Sequence, residues 1–235
     1  MSSAKLKETK EPTLANAVIL GVLSAFIGAL FGFVFLTTFK AQAFTTIEDR
    51  TTAFEEQTGK TSMPSDAYFM EGPRAGSAGW ELQRQRLLSD SEEQIDLSVG
   101  ELNAWMASSF RPSKKPKKED QSNFMVFPGT PNFFAEEDGI LSVNLPTELL
   151  IFGKSYKYMI SARGYFAGGS PNNCVFDRLQ VNSAPIPSQD LLVDQLIKTL
   201  LAAFSATEEY QAIAEAWWNV ESVEVVGGLI RIQRG

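Results

Sequence analysis

The chain of 235 residues contains no histidine and one cysteine, Cys174. Without imidazole, neither a Ser-His-Asp nor a Cys-His nucleophile can be assembled, and zinc loses its usual nitrogen ligand. Without a second cysteine there is no intrachain disulfide. The chemistry still open is carboxylate-only, Ser-Lys or tyrosine-based. The densest acidic run, Glu136-Glu137-Asp138, precedes Gly139. That composition suits a turn, because short polar residues and glycine tolerate left-handed backbone, whereas a calcium loop needs more oxygen ligands at loop spacing. Cys174 sits in Asn-Asn-Cys-Val-Phe, a strand-like context that predicts a small buried hydrophobe. No metal, cofactor or catalytic constellation is expected.

The remaining candidates are binding groups. Arg111, Lys114, Lys115, Lys117 and Lys118 crowd the segment RPSKKPKK of a chain whose net charge is −7. Two prolines keep this segment out of helix and sheet, so it reads as a surface loop. Its sharper reading is a contact for anionic lipid or an acidic partner, since each basic residue near an anionic leaflet contributes about 1 kcal/mol. No aromatic residue interleaves the charges and the chain is acidic, which argues against nucleic acid. Tyr156, Tyr158 and Phe166 on one long strand, with Leu196 and Leu200 on a later helix, are the candidate lining of a groove for a lipid or another apolar ligand. The same five residues could instead fill a core.

Those groups are carried by a chain with a marked division. Residues 15–39 (ANAVILGVLSAFIGALFGFVFLTTF) are uncharged and mostly apolar. About 20 helical residues cross a hydrocarbon layer roughly 30 Å thick, so this run predicts a single transmembrane helix. Lys5, Lys7 and Lys10 precede it, against Lys40 and Arg50 after it. The bias predicts a cytoplasmic tail at 1–14 and an extracytoplasmic, periplasmic C-terminal domain on the inner membrane. Ala41-Gln42-Ala43 has the form of a signal-peptidase site, but the apolar run is nearly twice a secretory h-region, so a retained anchor is expected. Ser24, Gly28 and Gly32 recur at four-residue spacing, a candidate helix-helix face for a membrane-protein partner or a second copy. Residues 40–79, rich in Thr, Glu, Ser and Gly, read as a tether mostly without fixed structure.

Residues 80–235 are long enough to form one domain. Trp80 to Leu88 suggests a short helix. Ile95, Leu97 and Val99 alternate, and Ser98 with Glu101 has capping-box spacing, opening a helix whose Leu102, Trp105, Met106 and Phe110 share one face. Period-two patterning then predicts strands over 124–127, 133–134 and 140–145, with Pro146 marking a bend or an edge. A hairpin turning at Gly153 follows, returning as far as Phe166, and then a strand over 174–181. A wide apolar stripe predicts a helix from Ser188, and a second capping box at Ser205 and Glu208 opens another, bearing Tyr210, Ile213, Ala214, Trp217 and Trp218. Val223, Val225, Gly227-Gly228, Ile230 and Ile232 complete a final hairpin. The expected fold class is α+β, with a curved antiparallel β-meander packed on helices.

The order of parts resembles the YpmS-like family of small membrane-anchored extracytoplasmic proteins. The matching parts are the N-terminal span, the segments IDLSVGELNAWMASSF and FDRLQVNSAPIPSQDLLVDQLIKTLL, and the closing WNVESVEVVGGLIRI. The basic segment 111–118 and the long tether depart from that compact pattern. A curved sheet wrapped round an apolar helix is also similar to tubular lipid-binding domains. No activity is carried over from that family; the long strands and the apolar helix themselves lead to the expectation of a non-enzymatic domain that binds lipid or another apolar ligand near the membrane. The alternative is a structural or assembly module binding a membrane-protein partner.

Overall fold

The structure, a computed structural model, describes residues 14–59, 68–76, 78–89, 92–110, 124–136, 139–186, 205 and 208–235. Helices and antiparallel sheets combine in an α+β fold. Helix α1 (Leu14–Thr38) is long and apolar enough to cross a bilayer, and none of Gly21–Thr38 is buried in the protein. At its end the Thr37 and Thr38 hydroxyls bond back to the Val34 and Phe35 carbonyls at 2.7 and 2.6 Å.

The body holds two antiparallel sheets. In the first, β3 (Gln94–Ser98), β10 (Val220–Val226) and β11 (Leu229–Arg234) run in the order β10-β11-β3. Gly227 and Gly228 turn the β10–β11 hairpin with φ of 58° and 80°, the left-handed pair that a two-residue turn demands. Among the described residues, three helices pack on this sheet: α3 (Gly79–Ser89), α4 (Val99–Ser109) and α5 (Glu208–Trp217). Their shared core includes Leu87, Ile95, Leu97, Trp105, Met106, Val223, Ile230 and Ile232. The capping box expected at Ser98 is formed. Glu101 N donates to Ser98 Oγ at 3.2 Å, and Ser98 N donates to the Glu101 carboxylate at 2.9 Å.

The second sheet contains β4 (Phe124–Pro128), β5 (Asn132–Ala135), β6 (Leu141–Ile151), β7 (Lys154–Phe166), β8 (Cys174–Val181) and β9 (Ala184–Ile186). Its order is β4-β6-β7-β8-β9, with β5 taking the rest of the β6 edge beside β4. Pro146 does not interrupt β6. It falls between the residues paired with β5 (141–144) and those paired with β4 (147–151). There its carbonyl accepts from Gly129 N at 2.6 Å, and its missing N–H faces the seam between the two partners. β8 covers β7 only from Ile160 onward, so among the described residues no strand pairs with Lys154–Met159 on that side. Cys174, expected to be buried, is exposed, because it opens β8 at the end of the ladder opposite Phe166.

Residues 40–79 depart most from expectation. Instead of a tether they carry β1 (Gln42–Phe44), α2 (Ile47–Thr58) and β2 (Tyr68–Met70), with β1 and β2 paired in parallel. Thr46 caps α2, accepting from Asp49 N at 3.0 Å, and Gly59 ends it in left-handed conformation at φ 62°. Tyr68, Phe69 and Met70 are all buried. What holds this segment is a series of side-chain amides reaching its backbone. Gln180 Nε2 donates to Tyr68 O at 3.0 Å, and Asn144 Nδ2 donates to Met70 O at 2.5 Å. Asn132 pairs with both the N–H and the carbonyl of Gly72, at 2.8 and 3.0 Å. Asn103 Nδ2 donates to Pro73 O at 2.8 Å. The chain leaving α1 is fastened in the same manner. Asn182 Nδ2 donates to Thr37 O at 2.5 Å, and Ser183 N donates to Phe39 O at 3.1 Å. The domain is therefore attached directly at the end of α1.

Candidate apolar cleft

The cleft beside α5 is positioned by one partly buried carboxylate. Glu209, on the first turn of α5, accepts from Arg84 Nε and Nη2 at 2.6 and 2.7 Å and from Trp105 Nε1 at 2.6 Å. A single side chain thus ties α5 to α3 and α4. Its hydrogen bonds to Arg84, with the Trp105 N–H and the Arg84 charge behind them, hold the Glu209 carboxyl below its ordinary pKa against the opposing effect of burial. The same pairing raises Arg84. All the groups of this triad are consumed by one another, so it serves as a clamp.

With α5 so fixed, Tyr210, Ile213, Ala214 and Trp217 line one wall of a cavity of about 590 Å³. Phe133 of β5, Val220 of β10 and Asn172 of the β7–β8 connection line the rest, and Trp218 stands at the rim with 87% of its surface exposed. A volume of this size falls within the roughly 300–1,000 Å³ of small-molecule sites. The lining is aromatic and aliphatic, with Asn172 the most polar group, so what it can do chemically is hold apolar surface. A second cavity, of about 520 Å³, lies along the β10 edge between Ile140, Tyr165, Phe166 and Val225. Among the described residues no group of three or more His, Cys, Asp or Glu side chains could hold a metal ion.

Of the groove expected from the sequence, only the β7 side lies within the described residues. Phe166 packs on the core of the first sheet and lines the second cavity. Tyr156 lies ten positions back along β7, about 33 Å at 3.3 Å per residue, and Tyr158 lies two residues nearer. Leu196 and Leu200, with the helix expected from Ser188, lie outside the described residues, as does the basic segment Arg111, Lys114, Lys115, Lys117 and Lys118. Ser24, Gly28 and Gly32 lie on the exposed surface of α1, and a Cβ added at either glycine would meet nothing within 4 Å. Sequence periodicity does place Tyr210, Ile213, Ala214 and Trp217 on one helix, but a stripe that lines a cleft has the same spacing as one that fills a core. Nothing local in the sequence separates the two. Compared with protein-family models, curated proteins and solved structures, the chain matches none.

Proposed function

We propose that this chain is a membrane-anchored, non-enzymatic binding domain that accepts a lipid or another apolar ligand in the cleft beside α5. The observation that carries the reading is the cleft itself, a cavity of ligand size walled by Phe133, Tyr210, Ile213 and Trp217 beneath an exposed Trp218. A fully exposed apolar α1 ending at the domain surface supports a retained span. The lysines at 5, 7 and 10 support a cytoplasmic N-terminus, with the domain on the extracytoplasmic face of the inner membrane.

Native mass spectrometry of the full chain released from membranes tests this. The wild type should carry lipid-sized adducts, and Ile213→Glu, which puts a charge on the cleft wall, should lose them while retaining its circular dichroism. Bare wild-type monomers would reject the reading. A lipid-free dimer that Gly28→Leu dissociates would favour the assembly module, with Ser24, Gly28 and Gly32 as the packing face.

A further inference from the structure

The turn between β6 and β7 breaks a local rule. A two-residue hairpin turn wants Asn, Asp or Gly where φ is positive, and the other hairpins of this chain comply, with Gly227-Gly228 in one and Asn182 at φ 51° in another. At the β6–β7 turn, however, Phe152 takes φ 46° ahead of Gly153 at 77°. A bulky side chain is disfavoured there, and its ring gains no burial in exchange, since Phe152 is 77% exposed. Backbone held in such a region against preference points to a function of the side chain outside the fold.

The surroundings say what that function acts on. Tyr156, 43% exposed, follows on the same hairpin, with Lys154 exposed on its strand face and Lys157, opposite Glu148 in the ladder, exposed on the other. A tip of Phe, Tyr and Lys matches the membrane-water interface, where aromatic rings sit at headgroup level and lysines meet anionic phosphates. Position agrees. The end of α1 is fastened to the β8–β9 turn through Asn182 and Ser183, and Asn182 in turn holds Met159 of β7, giving and accepting bonds of 2.7 and 2.8 Å. From Ile160, the last β7 residue paired with β8, the hairpin runs on to Gly153, about 23 Å at 3.3 Å per residue. That extension points away from the helix-covered core, which packs at the Leu141 and Phe166 end of the same strands.

We propose that the β6–β7 tip is a second membrane contact, with Phe152 and Tyr156 seated in the headgroup layer of the bilayer that α1 crosses and Lys154 and Lys157 facing its anionic lipids. The strands must then run obliquely to the membrane, because a perpendicular hairpin would carry both lysines into hydrocarbon. This rests on the reading of α1 as a retained span.

The test uses the full chain with Cys174→Ser, reconstituted in phosphatidylcholine–phosphatidylglycerol vesicles and labelled with an environment-sensitive fluorophore at one new cysteine. Phe152→Cys should give blue-shifted emission quenched by lipids spin-labelled near the headgroup, and Asn173→Cys, at the other end of the sheet, should remain in water. Gly28→Cys, near the middle of α1, reports the span separately through lipids spin-labelled deep in the acyl chain. Quenching at 28 with none at 152 overturns the tip contact and leaves the span reading intact; absence of quenching at 28 overturns the span reading itself. Phe152→Asn suits the turn better and should fold at least as well. It should reduce quenching of a label at Tyr156→Cys, and unchanged quenching there would overturn the role of Phe152.

Discussion

Glu209 gives the most direct test of how the cleft is built. Replacing it by leucine removes the acceptor for three donors and the charge opposite Arg84. Trp105 is 3% exposed, so its N–H is left buried without that partner, costing about 1–3 kcal/mol. The Arg84 side chain is 34% exposed and can turn to water, so its share is closer to the ~1 kcal/mol of a screened pair than to the ~3–5 kcal/mol of a buried one. Together Glu209→Leu should cost about 2–4 kcal/mol, and Glu209→Gln, which keeps one carbonyl acceptor, about 1–2 kcal/mol. Urea titration of the full chain in detergent, followed by tryptophan fluorescence, measures both. Crossing Glu209→Leu with Arg84→Met and with Trp105→Phe should show coupling of about 0.5–2 kcal/mol in each cycle. The pH dependence has a fixed sign. A carboxyl held below its ordinary pKa contributes stability above the unfolded value of about 4.3, and loses it as pH falls through the lower folded value. The wild type should therefore lose more stability than Glu209→Gln on acidification below pH ~4.3. A loss under about 0.5 kcal/mol in Glu209→Leu, with no coupling to Trp105, would refute the clamp and place the trio among ordinary surface pairs.

Further expectations follow from the same geometry. Phe152→Asn should raise stability by about 1 kcal/mol in that titration, by relieving left-handed strain at the hairpin tip. Gly72→Ala should cost more than about 3 kcal/mol, because its Cβ would fall 1.7 Å from Phe133 O and 2.8 Å from Asn103 Nδ2, both parts of fixed backbone contacts. Gln180→Leu should increase hydrogen exchange at the Glu71 amide, which donates to Phe44 O at 2.7 Å, as β2 loses one of its fastenings. Exchange equal to the wild type would mean that the buried side chains of β2 suffice without the amide.

Much of the fold was legible where local chemistry determines structure. Ser98 and Glu101 satisfy each other's amides within one turn of chain, so their spacing alone marks the helix start. β6, β7 and the closing hairpin announce themselves through alternation and turn residues. Pairing of β3 with β11 joins residues more than 130 apart, as in the Asp96–Arg231 ion pair, and no local pattern encodes that. The N-terminal segment was misread for a different reason. Its polar composition describes its side chains, whereas Tyr68, Met70, Gly72 and Pro73 are held by their backbone carbonyls, and every sequence has those. Thr46, Asp49 and Gly59 were readable helix signals within it. The expected groove pairs β7 with a helix that lies outside the described residues, and along β7 itself residues that share a strand face can lie tens of ångströms apart.

The amide fastenings also impose an order on how the protein is made. Thr37 leaves the ribosome 145 residues before the Asn182 that binds its carbonyl, and Tyr68 leaves 112 residues before Gln180. At about 5–20 residues per second, Thr37 waits roughly 7–30 s for its partner. When Tyr68-Phe69-Met70 emerges, Phe44 and Ala53 are there to pack on it, but the amides of Asn144 and Gln180 are not. The amides that hold it and its neighbours are spread across α4, β5, β6, β8 and the turn after it, so the segment that follows α1 is among the last to settle. Whatever shields the nascent chain meets this triplet before either of those amides exists.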